Sequence, residues 1–396
     1  MTWKPKESPI RLAALTFGLA VICACLPSCR RQDNDSRRDD DAGKEKQLAE
    51  KRRKQAERLE AHRQKAAADL AREMAKGDYV IAEAYRKMGS TDKAVAAYRE
   101  AIARSPDYAE AYAGIGAAHA AAGRTGEATA ACEKAISVSP DSAEAHFSVG
   151  AVYDQMDLHA KAVMAFEKAI ALKADYAEAQ VKVSGSYVRL GRNADALAAC
   201  EKAVALKPNS AETHIGLGIV YGAMGRHENA LAACKRAVVL KRNSPEAYNQ
   251  LGVAYRNLDR RGQADAALKR AVALKSDYAE AHYNIGVNFD QIERYSAAVE
   301  AYSDAVTLDP RHAEAHFNLG GVYGQLGRYA EAVEAYRKAV DIEPGYAEAF
   351  YKMGFASDEL GKHTEAIVAY EKVIAIDPES DLATLADHHI SRLKKK

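Results

Sequence analysis

The sequence predicts an all-α solenoid, and three observations support this fold class. The first is self-similarity with a period of 34 residues over residues 75–380. The second is composition, because the 396 residues are rich in alanine and charged side chains, which favour helix, and only 7% are aromatic. The third is the placement of apolar and small residues, which forms two amphipathic stripes in every period.

Nine units of 34 residues follow one another without insertion or deletion. Counting Ala75 as position 1, position 20 is alanine in all nine units, position 8 is glycine in seven and position 32 is proline in six. The units are 75–108, 109–142, 143–176, 177–210, 211–244, 245–278, 279–312, 313–346 and 347–380.

Each unit is expected to contain two helices joined by a tight turn. At 100° per residue, positions 4, 7, 8 and 11 share one face of a first helix, and positions 20, 24, 27 and 28 share one face of a second. Glycine at position 15 predicts a left-handed end to the first helix, and proline at position 32 predicts the end of the second. Because one unit cannot bury both faces, the units are expected to stack.

The last unit is expected to be closed by a capping helix within residues 381–396, which end in a basic tail. Its predicted inner stripe is Leu382, Leu385, Ile390 and Leu393.

These units resemble the tetratricopeptide repeat, and the resemblance covers about three quarters of the chain. It implies a right-handed superhelical solenoid of nine helix-turn-helix repeats. It also implies a concave groove, lined by the first helices, in which extended or helical peptides bind.

The groove positions of units six to nine carry aromatic and amide side chains. Asparagine can donate to and accept from a peptide backbone at once, and aromatic side chains are favoured as anchors. The alternative for the aromatic residues is that they pack against the following unit. The candidate partner-binding residues are Asn249, Gln250, Arg256, Tyr283, Asn284, Asp290, Gln291, Phe317, Asn318, Gln325, Tyr351 and Lys352.

The N-terminus has the pattern of an export signal. Basic residues precede an apolar stretch over residues 10–26, whose length suits the apolar region of a signal peptide. The sequence Leu26-Pro27-Ser28-Cys29 then resembles the lipobox of bacterial lipoproteins, with proline where alanine or serine is usual. The resemblance implies that Cys29 receives a lipid and becomes the N-terminus after cleavage.

Residues 1–28 are therefore predicted to be a signal peptide or a membrane anchor. We expect the protein to be a lipoprotein held on a membrane of the bacterial cell envelope. The alternatives are an uncleaved anchor in the inner membrane and ordinary secretion.

Two charged segments separate the signal from the repeats. Residues 29–43 contain almost no apolar side chain, so we expect a disordered linker. Residues 44–74 consist mainly of strong helix formers and predict a charged helical spacer, in which Glu50 and Lys54 are spaced to form an ion pair. The larger apolar residues of this segment are too sparse for a typical coiled-coil seam, so a weak coiled coil is the less favoured alternative. They are Leu48, Leu59, Leu70 and Met74.

The other reactive side chains are interpreted as structural. Four histidines share position 4, but neighbouring units place them roughly 8–10 Å apart, too far for one metal ion. Cys132, Cys200 and Cys234 share position 24 and are interpreted as small buried apolar residues. The net charge of +1 gives no reason to expect nucleic acid as a partner. We expect no cofactor and no metal.

The predicted function is a scaffold or adaptor that binds partner proteins and has no enzymatic activity. One alternative is a substrate-recruiting array like those fused to O-linked GlcNAc transferases, although no catalytic domain is recognisable between the repeats and Lys396. The other alternative is a chaperone for the assembly of envelope proteins.

Overall fold

The computed structural model describes residues 35–395, and every regular element in that range is an α-helix. The first helices of the nine units are α1 (Asp35–Lys87), α3 (Ala109–Ala121), α5 (Ala143–Gln155), α7 (Ala177–Arg189), α9 (Ala211–Ala223), α11 (Pro245–Asn257), α13 (Ala279–Asp290), α15 (Ala313–Gln325) and α17 (Ala347–Glu359). The second helices are α2 (Thr91–Arg104), α4 (Thr125–Val138), α6 (His159–Leu172), α8 (Asn193–Leu206), α10 (His227–Leu240), α12 (Arg261–Leu274), α14 (Tyr295–Leu308), α16 (Tyr329–Ile342) and α18 (His363–Ile376). A final helix, α19 (Asp381–Leu393), follows the ninth unit.

The all-α repeat solenoid is confirmed. Helices α3 to α17 of the odd series each begin at position 1 of the predicted frame. Within units two to nine the two helices pack on each other, and the first helix of each of these units also packs on the second helix of the unit before it. In unit one, Ala82 of α1 lies in one buried cluster with Ala94 and Tyr98 of α2. The core is therefore a continuous line of interfaces between neighbours.

Helix α1 is longer than the sequence indicated. Residues 35–43, assigned above to a disordered linker, are helical, and α1 continues without interruption into the first repeat. Acidic residues are favoured near a helix N-terminus, and extending an existing helix costs little compared with nucleating one. The contacts divide the chain into two compact parts after Leu70, and all nine repeats lie in the second part. In the first part, Lys54 and Glu50 form the expected ion pair at 2.7 Å.

The turn between the two helices of a unit requires a left-handed residue at position 15. Six units place glycine there, with φ between 70° and 74°. In the other three units the left-handed residue is Asp157, Asp259 or Glu293, with φ of 56° to 60°. The predicted left-handed end of the first helix is thus present in all units, but residues other than glycine also adopt that conformation.

Position 8 is small because the side chain at position 24 packs directly on it. A Cβ added at Gly286 would lie 2.5 Å from the Tyr302 ring, and one at Gly320 would lie 2.8 Å from the Tyr336 ring. Unit four has Ser184 in place of glycine at position 8. The residue at position 24 is the small Cys200, whose thiol donates to the Ser184 hydroxyl at 3.1 Å. The two positions together set how closely the paired helices approach.

Three cysteines and the four position-4 histidines of the repeats are used in packing and hydrogen bonding. Cys132, Cys200 and Cys234 are buried and unpaired, as predicted, and burial raises their thiol pKa to about 12, 11 and 12. The position-4 histidines donate from Nε2 to a carbonyl oxygen six residues earlier, as His146 does to Pro140 at 2.9 Å. His214, His282 and His316 repeat this bond.

Helix α19 closes the last unit. Ile390 and Leu393 are buried against α18, as predicted. Leu385 was expected on the same stripe but is 50% exposed, because Ala386 occupies the inner face instead. The helix begins with a Ser380 cap, whose hydroxyl accepts a hydrogen bond from the Ala383 N–H at 3.2 Å.

One contact joins units that are far apart in sequence. The Arg311 guanidinium, in the connection between units seven and eight, donates to the carbonyl oxygen of Ala121 at 2.9 Å. Ala121 is the last residue of α3, where the carbonyl groups of a helix lack partners and favour a cation.

The predicted signal peptide and Cys29 lie outside the described residues. No helix between residues 35 and 395 combines the length and apolar character needed to cross a bilayer.

Candidate functional site

The aromatic side chains at position 5 pack inside the repeats. Phe317 contacts Tyr336 of its own unit and Tyr346 at the end of that unit, with ring centroids 5.7 and 4.9 Å away. Tyr283 makes the equivalent contacts with Tyr302 and His312 at 5.8 and 4.7 Å. Tyr283 is only 9% exposed, but these ring contacts lie within its own unit and not against the following unit.

Tyr351 follows the same pattern at the end of the solenoid. Its ring lies 5.6 Å from that of Tyr370, and its hydroxyl forms a hydrogen bond with His389 Nε2 of α19 at 3.2 Å. This side chain thus connects the ninth unit to the capping helix.

Two of the predicted groove amides are buried between units six and seven. Asn284 donates from Nδ2 to Asn249 Oδ1 at 3.1 Å, and its own Oδ1 accepts from the Arg256 guanidinium at 3.0 Å. Asn249 and Asn284 are 0% and 3% exposed. Burial lowers the pKa of Arg256, but hydrogen bonding to Asn284 compensates part of the lost hydration. These side chains hold the two units together.

Asn318 differs from Asn284 because only one of the two polar atoms of its side-chain amide forms a hydrogen bond. Its Nδ2 donates to the Tyr283 hydroxyl at 3.1 Å. Its Oδ1 has no hydrogen-bond partner within the described residues, and the side chain is only half-buried. Asn318 can therefore offer an acceptor to a molecule outside the repeat.

A cavity of about 410 Å³ opens beside Asn318, on the face formed by the first helices of units seven to nine. That volume lies within the range of about 300–1,000 Å³ typical of ligand sites. Helices α13, α15, α16 and α17 supply its walls. The lining residues are Asp290, Phe317, Asn318, Gly321, Gly324, Gln325, Tyr329, Tyr336, Glu348, Lys352, Phe355 and Ala356.

The cavity combines an apolar side with separated charges. Asp290 is half-buried and forms no ion pair with the described residues, and burial raises the pKa of its carboxyl group. Glu348 and Lys352 are exposed one helical turn apart on α17. Phe355 is 42% exposed, which is unusual for a large apolar side chain that has a neighbouring core to enter. The site can therefore accept a ligand with both apolar and charged groups.

Five of the predicted partner-binding residues line this cavity and seven do not. Those in the lining are Asp290, Phe317, Asn318, Gln325 and Lys352. The residues placed elsewhere are Asn249, Gln250, Arg256, Tyr283, Asn284, Gln291 and Tyr351. Gln291 is exposed at the end of α13, where its Oε1 accepts from the guanidinium group of Arg261.

Several lining residues are not among the predicted partner-binding residues, although they lie on the same side of the first helix. Phe355 and Gly321 occupy position 9 and Glu348 occupies position 2. At 100° per residue, these positions lie on the same side of the first helix as positions 5 and 6, which hold Phe317 and Asn318. Gly321 and Gly324 make the cavity possible, since no larger side chain fills it there. The small residues at positions 9 and 12 of unit eight were the available signal.

The described residues contain no group of three or more histidine, cysteine, aspartate or glutamate side chains arranged to hold a metal ion. The arrangement in the cavity is suited to noncovalent recognition through amides, rings and single charges.

Comparisons with known proteins agree with the helix-pair architecture. Sequence models of the tetratricopeptide repeat match residues 82–123, 109–142, 143–176, 185–248, 245–278, 288–347 and 325–387. Within residues 82–387, only 177–184 and 279–287 fall outside these matches. No curated protein matches the chain significantly.

Solved structures that align over most of the chain show the same fold at low sequence identity. The human IFIT1 dimer with m7Gppp-AAAA is 17% identical, with a TM-score of 0.56 over 80% of each chain. The Cut9–Hcn1 assembly of the APC/C is 15% identical, with a TM-score of 0.52 over 81% of this chain and 76% of that chain. MamA is 29% identical but covers only 41% of this chain, with 95% of its own length and a TM-score of 0.38.

Proposed function

Because the chain belongs to the tetratricopeptide-repeat family, we propose that it is a protein-binding scaffold that holds a segment of a partner protein on the first helices of units seven to nine. The observation that supports this most strongly is the cavity of about 410 Å³ beside Asn318. Five residues that were selected from the sequence for peptide binding line this cavity. Aromatic and charged residues of three consecutive units lie beside them.

The partner segment would be held by several different interactions. The Asn318 Oδ1 and the Gln325 side chain would pair with backbone or side-chain amides of the partner. Phe317 and Phe355 would contact an apolar side chain, and the half-buried Asp290 would receive a cationic or N–H donor group. Lys352 would favour an acidic group at the opposite side of the cavity. These preferences describe a mixed-charge segment that contains at least one apolar residue.

We propose that binding, without catalysis, is the function of the repeats. The described cysteines are buried with raised thiol pKa values, which suppresses the nucleophilic thiolate. The position-4 histidines use Nε2 to donate to the backbone. These thiol and imidazole groups therefore take part in packing and hydrogen bonding within the fold.

We also propose that the scaffold is tethered to a membrane of the bacterial envelope through a lipid on Cys29. The support is the sequence alone, namely the apolar stretch followed by Leu26-Pro27-Ser28-Cys29. Labelling cells with radioactive fatty acid tests this, and the label should disappear in the Cys29→Ala variant. Equal labelling of both proteins would contradict lipidation at this residue.

The binding site is tested by filling the cavity without disturbing the core. A Cβ at Gly324 meets nothing within 4 Å, so Gly324→Phe should place its ring in the cavity. Gly222→Phe is the matched control, because Gly222 has the same position in unit five and equally open space.

Partners would be identified by crosslinking the full chain in its native cell and sequencing what co-purifies. Gly324→Phe should remove a stoichiometric partner and Gly222→Phe should retain it. Equal recovery with both variants would contradict the site. Weak recovery of many unfolded proteins would contradict a scaffold and indicate a chaperone.

A further inference from the structure

The first helix of unit one leaves open a surface that later units bury. Positions 3 and 10 of the first helix are buried in all eight later units, and position 7 is never exposed there. In unit one these positions are Gly77, Ala84 and Ile81, and all three are exposed, with Ile81 at 52%. Met88, at position 14, extends the surface and is 74% exposed. We name Gly77, Ile81, Ala84 and Met88 the open stripe.

The open stripe has the shape and chemistry of a repeat-to-repeat interface. In unit two, the equivalent residues Ala111 and Ala118 pack in one cluster with Tyr98 and Ala101 of the unit before. No described repeat precedes unit one, so its stripe lacks that neighbour. A Cβ at Gly77 would meet nothing within 4 Å, which leaves room for another helix to approach closely.

The opposite end of the solenoid is closed. Ala386, Ile390 and Leu393 of α19 are buried in one cluster with Tyr370 and Val373 of α18. A second copy therefore cannot stack head to tail, because the surface that would receive the open stripe is covered. Among the described residues of a second copy, the exposed surface of this kind is its own open stripe. Contact between two identical surfaces closes as a two-fold dimer and does not extend into a filament.

Charges beside the open stripe select the relative direction of the two helices. Glu73 lies at its N-terminal end and Lys87 at its C-terminal end, on the same flank of α1. An antiparallel pair brings Glu73 of each copy near Lys87 of the other, whereas in a parallel pair the two charged flanks lie on opposite sides of the interface and gain no such contact. Glu73 contacts Lys76 at 2.6 Å, but both are exposed and such pairs are weak.

We propose that a second copy of this chain packs on the open stripe, forming an antiparallel two-fold dimer through α1. Analytical ultracentrifugation of the full chain in mild detergent, over a concentration series, should show a mass of two chains. A monomer at all concentrations would overturn the proposal, including the case in which residues 1–34 of the same chain fill the stripe.

Substitution within the stripe separates this interface from other contacts. Ile81→Asp should raise the dimer dissociation constant by at least about tenfold, because it places a charge at the centre of the buried contact. Met164→Asp is the control, since Met164 is 71% exposed on α6 of the third unit. At concentrations low enough for the chain to be monomeric, the unfolding midpoint should be the same in both variants, because both side chains are exposed in the monomer. A dimer equally strong in both variants would overturn the proposal.

Charge reversal tests the antiparallel direction and does not depend on the apolar substitution. Glu73→Lys and Lys87→Glu should each weaken the dimer, and the double variant should restore it. A double variant as weak as the single variants would exclude the antiparallel arrangement.

Discussion

Asn284 connects two neighbouring units through a buried polar chain. Its amide donates to Asn249 and accepts from Arg256, so one side chain satisfies two groups that water cannot reach freely. The interior of a protein strengthens such bonds but also makes an unpaired group costly. The amides at this point of the solenoid therefore contribute to stability and to the register of units six and seven.

Removing Asn284 should destabilise the fold. Asn284→Ala removes the side-chain hydrogen bonds to Asn249 and Arg256 and leaves Arg256 only its 3.4 Å contact with the backbone carbonyl, so we expect a loss of about 1–3 kcal/mol in unfolding free energy. Urea denaturation followed by circular dichroism measures it, with the exposed Asn257→Ala on α11 as control. Equal effects from the two substitutions would show that the buried chain contributes nothing measurable.

Asp290 differs from Asn284 because its half-buried carboxyl group forms no ion pair among the described residues. Burial raises its pKa above the ordinary value of 3.8, so the folded protein holds this proton more tightly than the unfolded chain. The folded state is therefore favoured by protonation, and stability falls as the pH rises from below about 4 through the raised pKa.

Asp290→Asn should remove that part of the pH dependence. The variant should be more stable than the original protein above this window and should lose the advantage as the pH falls below about 4. Urea midpoints measured at several pH values test this, with the exposed Asp277→Asn as control. An advantage that stays constant across the pH range would contradict the role of burial.

At the scale of the helix, glycine has two distinct uses within α15. Gly320 faces the Tyr336 ring, and a Cβ there would lie 2.8 Å from it. Gly324, one turn later, has nothing within 4 Å and borders the cavity. The first glycine sets the distance between α15 and α16, and the second leaves space for a ligand.

The two glycines should respond oppositely to the same substitution. Gly320→Ala should cost about 1–3 kcal/mol, because the added methyl group overpacks the contact with Tyr336. Gly324→Ala should stabilise by about 0.5–1 kcal/mol, because alanine restricts the unfolded chain and favours helix. Thermal denaturation of both variants measures the difference, and a stabilising effect at Gly320 would contradict the packing argument.

The sequence predicted the helices well because their causes are local. Alanine at position 20, glycine at position 15 and proline at position 32 act within a turn or two, so the helix starts from Ala109 onward could be read directly. The extension of α1 through residues 35–43 could not, because it depends on propagation from the helix that follows.

The site was harder to predict because burial depends on the neighbouring unit. Asn284 and Asn318 occupy the same repeat position, yet Asn284 is 3% exposed and Asn318 is half-buried beside the cavity. The difference comes from Arg256 of the preceding unit, whose guanidinium bonds to Asn284. Such pairing between units is invisible in a helical wheel of one helix.

At the scale of the whole molecule, stability is a sum over neighbouring units. The second part of the chain, from Ala71 onward, has no single central core, and its buried clusters lie between consecutive helices. Local changes should therefore act mainly on adjacent units. The capping helix matters for this reason, since it covers the last surface of the series.

Deletion of residues 381–396 should destabilise unit nine selectively. Tyr370 and Val373 would lose their cover, and hydrogen exchange in α17 and α18 should accelerate by at least about tenfold. Exchange in α5 to α8 should not change, and these helices provide the internal control. Faster exchange along the entire chain would show that the solenoid unfolds as one cooperative unit.

The Arg311 contact gives this chain of neighbours one exception. Its guanidinium donates to the carbonyl oxygen of Ala121, 190 residues earlier, so this hydrogen bond connects two distant repeats. A partner that changes the curvature of the solenoid would strain or break this hydrogen bond. The distance between Arg311 and the C-terminal end of α3 therefore reports how far the solenoid bends when a partner binds.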